Sequence, residues 1–106
     1  TGYQLSVGGT IRCEEVVVET GWADFVFESG YALRPLAEVQ RHIDEQGRLP
    51  DVPAAAEVQA RGIGVGTAQT ILLQKVEELT LYLLQQQREI EALRAEVKQL
   101  REDDAR

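Results

Sequence analysis

Apolar residues return with alternating steps of four and three along the last third of the chain. They stand at Leu72, Val76, Leu79, Leu83, Ile90, Leu93, Val97 and Leu100, with Gln86 in the one polar slot. This is a heptad seam, with Val76, Leu83, Ile90 and Val97 at a, and Leu72, Leu79, Gln86, Leu93 and Leu100 at d. A single helix cannot bury so narrow a stripe. The pattern therefore predicts a long helix over residues 67–106 that pairs with copies of itself, with Thr67 placed to cap it. Up to Leu84 there are apolar residues off the seam as well: Ile71 at c, Leu73 at e, Leu81 at f and Leu84 at b. After Gln85 they are nearly confined to a and d. A helix apolar on most sides is buried on most sides. The first half should then be sheathed by other segments, while the second projects as a bare coiled coil.

Upstream the period changes. Gln4-Leu5-Ser6-Val7 alternates, Gly8-Gly9 punctuates, and the stretch from Thr10 to Glu19 is rich in β-branched residues. A period of two predicts short strands within residues 1–20. They are expected as a layer shared between subunits at the end of a fibre shaft, with a hairpin on Gly8-Gly9 as the alternative. Thr20-Gly21 is a break. Trp22-Ala23-Asp24-Phe25-Val26-Phe27 then concentrates aromatic area. Trp22, Phe25 and Phe27 read as a core-filling or subunit-docking cluster; a glycan-stacking platform is the other reading and requires an exposed Trp22.

Leu36, Val39 and Ile43 have helical spacing, Pro35 suits a first turn and Gly47 a stop, which predicts a helix over residues 35–46. His42 falls in its last turn, in a solvated or capping role. Arg48-Leu49-Pro50-Asp51-Val52-Pro53 reads as a stiff extended link. A second short helix follows over residues 54–61, ended by Gly62. Ile63-Gly64-Val65-Gly66 reads as an extended, glycine-rich turn; no Lys-Ser/Thr pair follows it, so it is no phosphate cradle. Residues 21–66 thus form a small wrapping region. The expected fold class is α+β: shared N-terminal strands, two short helices and a long C-terminal coiled-coil helix.

Flanking charges give the seam a direction. Glu89 and Glu96 occupy g, and Arg94 and Arg101 occupy e five residues on, so parallel chains pair Glu with Arg. Each exposed pair contributes about 0.5 kcal/mol, which orients more than it stabilises. β-branched a and Leu d favour a dimer. Gln86 at d, Leu83 at a and the broad apolar girdle favour a trimer, which is the preferred stoichiometry.

A chain of 106 residues with about a third in a coiled coil has room for only a small core. Its formal charge of −7 disfavours nucleic acid and anionic membrane surfaces as partners. No apolar run is long enough to span a membrane. Cys13 is the single cysteine, expected as a buried free thiol, and rules out an intrachain disulfide or a multi-cysteine metal site. Ser6 and Ser29 have no base nearby in sequence, and no HExxH, CxxC, EF-hand or P-loop spacing occurs. No enzyme activity, cofactor or metal is expected. The chain opens at Thr1 in strand-like sequence, which reads as a fragment from the C-terminal end of something longer.

Several stretches occur together in order: Trp22-Ala23-Asp24-Phe25-Val26-Phe27, Tyr31-x-Leu33, Leu36-x-Glu38-Val39, Leu49-Pro50-Asp51-Val52-Pro53 with Glu57-Val58, and Leu72-Leu73-Gln74-Lys75-Val76-Glu77-Glu78-Leu79-Thr80-Leu81-Tyr82. In these the chain resembles the C-terminal domain of bacterial tail-fibre-like proteins. It is similar in plan to endosialidase-type intramolecular chaperones, which trimerise fibres. The resemblance implies a C-terminal oligomerisation and capping domain of an extracellular, phage-type or secreted fibre, with a receptor- or glycan-binding tip as the alternative. Many such chaperones cut themselves at a Ser-Asp pair. This sequence has none, so autoproteolysis is not carried over from the resemblance, and an autoproteolytic intramolecular chaperone stands as a further alternative. Arg48 also stands where relatives often have His before Leu-Pro.

Overall fold

The computed structural model describes residues 2–19 and 21–105. Three helices follow one another: α1 (Leu36–Gln46), α2 (Ala55–Arg61) and α3 (Val65–Asp104). At 40 residues, α3 is roughly 60 Å long. It sets the outline of the molecule, whose extents are 77 × 32 × 29 Å. The radius of gyration is 21.3 Å, against about 13 Å for a compact chain of this size.

The α+β expectation is corrected: no strand occurs among the described residues, and the regular structure is entirely helical. Residues 2–19 are an extended, exposed arm. Alternation makes a strand only where a second segment supplies ladder partners, and no described residue pairs with this arm in a ladder. Gly8 and Gly9 bend it without folding it back. The Val16 N–H turns to the carboxylate of Glu15 at 3.0 Å. Cys13, expected to be buried, is exposed on the arm.

Glycine and proline mark the helix ends. Pro35 precedes α1, and Gly47, at φ 71°, closes it by donating its N–H to the Ile43 carbonyl at 2.7 Å. Gly62 closes α2 in the same way on Val58, at 2.6 Å. The start of α3 differs from expectation. Gly64 is its cap, in extended backbone, and its carbonyl accepts the Ala68 N–H at 2.9 Å. Val65 and Gly66 therefore lie in the first turn, and Thr67 sits inside the helix instead of capping it. The Arg48–Pro53 link is also less extended than expected. The Val52 N–H reaches the Leu49 carbonyl, with Asp51 at φ 67°. This is a tight turn with Pro50 leading and a left-handed third residue, a position that Asp tolerates better than most. Arg48 braces it, donating to the carbonyls of Val52 and Gln46. His42 Nδ1–H donates to the Arg48 carbonyl at 2.9 Å.

Of the expected break at Thr20-Gly21, Thr20 lies outside the described residues. Gly21 has φ 66° and lies hard against α3: a Cβ there would stand 2.7 Å from Thr70 Oγ. From this contact the chain runs through Ala23 and Val26, which with Pro50 are the buried apolar side chains among the described residues. A core of three small side chains is far too little for a stable monomer.

Replacing Gly21 with Ala combines a disfavoured φ with a clash on Thr70. It should lower stability by about 1–3 kcal/mol, read as a lower urea midpoint. An unchanged midpoint would show that the arm does not rest on α3 at this point.

Candidate oligomerisation face

The preceding segments hold α3 from one side. Heptad positions b, c, f and g face them. Thr70, at b, shares its hydroxyl proton between the Gly21 carbonyl at 2.7 Å and the Gly66 carbonyl at 2.9 Å. Glu78, at c, is buried and accepts from the Tyr31 hydroxyl and from Lys75 Nζ, the latter at 2.9 Å. Gln74, at f, donates to the same Tyr31 oxygen at 3.2 Å. Lys75, at g, extends to Asp51 at 3.2 Å, and Asp51 accepts from Arg34 at 2.9 Å. Tyr82, also at g, donates to the Arg34 carbonyl at 2.6 Å. Five side chains spaced over little more than three turns thus bind residues 21–51 to one flank of the helix.

The charges are arranged to hold. A carboxylate removed from water needs partners, and Glu78 has a cation and a phenol. Burial, then the hydrogen bond to Glu78, raises the Tyr31 pKa above its ordinary 10.0. Burial likewise raises that of Tyr82, with the Glu78 charge adding to it. The Arg34 hydrogen bond, helped by Lys75, lowers the Asp51 pKa below its ordinary 3.8.

The opposite side is open. The eight apolar side chains of the a/d seam are between 42% (Ile90) and 65% (Leu72) exposed. Beside them Leu84, at b, is also exposed. From Leu83 to Ala105 every residue is exposed, so none of the described segments folds back on the tail. On the g side the seam does not close against α1. Leu36, Val39 and Leu49 face Leu72, Val76 and Leu79 across a largely apolar cleft of ≈ 320 Å³. Each seam side chain, once fully buried, is worth about 1.5–3 kcal/mol.

The three aromatic residues of the expected docking cluster are all exposed in the single chain. Trp22 is 73% exposed and Phe27 is exposed as well; Phe25 packs on Tyr31, ring centroids 5.9 Å apart. The side chains between the aromatics, Ala23 and Val26, take the interior. The Tyr31–Glu78–Lys75–Asp51–Arg34 network was not foreseen. Its one sequence trace is Glu78 at c, level with apolar Ile71 one heptad earlier, on the flank expected to be sheathed. Among the described residues no cluster of His, Cys, Asp and Glu could hold a metal ion, and no helix is long and apolar enough to cross a membrane. No protein-family model, curated protein or solved structure matches the chain.

Tyr31→Phe leaves one Glu78 oxygen without its donor and should cost about 1–3 kcal/mol. The pH dependence has two limbs. Asp51 is depressed when folded, so its contribution is present above 3.8 and lost as pH falls below that value. Tyr31 is raised, so its contribution is present below 10.0 and lost as pH climbs beyond it. Urea midpoints against pH should fall at both ends. Asp51→Asn should flatten the acid limb, and Tyr31→Phe should reduce the alkaline one to the share that Tyr82 contributes.

Proposed function

We propose that this chain is a homotypic oligomerisation and capping unit of a fibrous, tail-fibre-like protein. Three copies of α3 lie parallel along their a and d positions. One observation carries the reading: the chain's own segments occupy the b, c, f and g flank of α3, and the heptad seam is left uncovered. If the seam were a monomer's core face, those segments would lie on it.

The width of the open face supports three strands over two. From Leu79 through Val76 to Leu84 the uncovered apolar sector spans roughly 140° at 3.6 residues per turn. A two-stranded contact would leave its edge wet. Gln86 at d suits the wider trimeric core, and the tail pairs Glu89 with Arg94 and Glu96 with Arg101 in a parallel register. The tail-fibre resemblance supplies the setting, an extracellular fibre of phage or secreted type. Mechanistically, helices form within about a microsecond whereas larger assemblies take milliseconds or more. A paired α3 would align the chains and raise the effective concentration of whatever they carry.

Sedimentation equilibrium at micromolar concentration should give the mass of three chains. A monomer would overturn the proposal, and a dimer would overturn its stoichiometry. Val76→Asp or Leu79→Asp should yield monomers. Truncation after Gln87 should weaken association while the network around Glu78 persists.

One observation favours a second reading, a glycan-binding tip. Trp22 offers an open ring face beside Glu15 and Gln69. In a glycan array the wild type should then show saturable binding that Trp22→Ala abolishes with assembly intact. Absence of binding by the wild type removes this reading.

A further inference from the structure

We propose that α1 and the Leu49-Pro50 turn form a shelf on which the next copy's α3 lays the edge bearing its e positions, with Leu84 at the exposed upper end of that edge. The inference rests on the parallel assembly proposed above and specifies what touches outside the seam. The shelf stands on the g side of its own α3, because Lys75 and Tyr82 at g are the residues that hold it, through Asp51 and the Arg34 carbonyl. In a parallel bundle the g side of one helix faces the e side of the next.

In the tail that meeting is Glu with Arg. In the first half it cannot be, because both g side chains are already bound within their own chain. The e positions there are Leu73, Thr80 and Gln87, which carry no charge to answer a cation. The partition is consistent. Where g side chains are free, e is Arg; where g side chains hold the shelf, e is neutral or apolar. The flank that arrives therefore meets the shelf and not the g side chains.

The two surfaces share apolar side chains. The shelf presents Leu36, Val39 and Leu49 across a cleft that its own chain leaves unfilled. The approaching flank carries Leu73, half-buried in the single chain, and Leu84, which is 49% exposed, with Glu77 and Thr80 between them. The cleft is continuous with the seam, sharing Leu72, Val76 and Leu79 with it. A helix seated on the seam thus arrives with one edge over the shelf.

The test uses two chains, each carrying Cys13→Ser: one with Val39→Cys, the other with Thr80→Cys. They are refolded together and treated with a short bis-maleimide. A cross-linked species containing one chain of each kind, absent when either variant is treated alone, is the expected result. An intact oligomer in sedimentation with no 39–80 cross-link overturns the shelf contact and leaves the seam pairing standing. A monomeric mass for the mixture and for the wild type overturns both. Leu36→Asp should in addition weaken association at least tenfold while the helix content of α3 is retained; unchanged association counts against the shelf.

Discussion

Glu78 is a charge taken out of water on the flank of a helix, and its partners come from two directions. Lys75 lies one turn back on α3, and Tyr31 comes from 47 residues earlier in the chain. Removing either leaves a carboxylate with an unmet demand. The contact therefore fixes the rotation of α3 about its axis relative to everything that precedes it. A turn of one residue, about 100°, would drag Glu78 out from under Tyr31 and swing the seam into the space the wrap occupies. Gln74, Lys75 and Tyr82 repeat the constraint at neighbouring heights. The apolar seam is open because a polar network on the far side holds it open.

This division of labour reverses the usual economy of a small domain. Apolar side chains ordinarily make the core and polar ones decorate it. Here the contacts within the chain are mostly polar and directional, while most of the apolar area faces outward. Hydrogen bonds and ion pairs specify geometry at little net gain in free energy. Apolar burial supplies free energy with little directional preference. A chain built this way has a defined shape to offer a partner and gains most of its stability by meeting one.

The helices were legible in the sequence because their signals are local. Gly47 and Gly62 stop α1 and α2 within one residue of the expected ends, and the heptads of α3 leave little choice. The arm was misread for the complementary reason. Alternation at Leu5, Val7, Ile11 and Cys13 reports a residue's preference, whereas a strand requires a neighbour. The cap of α3 lies at Gly64 and not at Thr67, and the first turns of the helix meet Gly21 through Thr70, a contact 49 residues apart in sequence. The anchoring network was hidden for the same reason. Tyr31, Asp51 and Glu78 are ordinary surface residue types, and only the path of the chain brings them together. In the aromatic motif the largest side chains stay exposed, and Ala23 and Val26 are the ones buried.

The helix α3 contains no proline or glycine after Gly66, so it runs through four heptads as one rod. A straight α-helix does not keep a seven-residue repeat on one line. The stripe drifts by roughly 20° per heptad, and over four heptads it travels about 80° around the cylinder. A wrap fixed to one flank can stay beside a drifting stripe for only a short distance. The tethers end at Tyr82, within two heptads of their beginning. Beyond that height a rigid companion would lose the stripe, and chains that follow it must wind around one another with a left-handed twist. The reach of the tethered segments thus marks the length over which a straight object and a coiled one can share an edge.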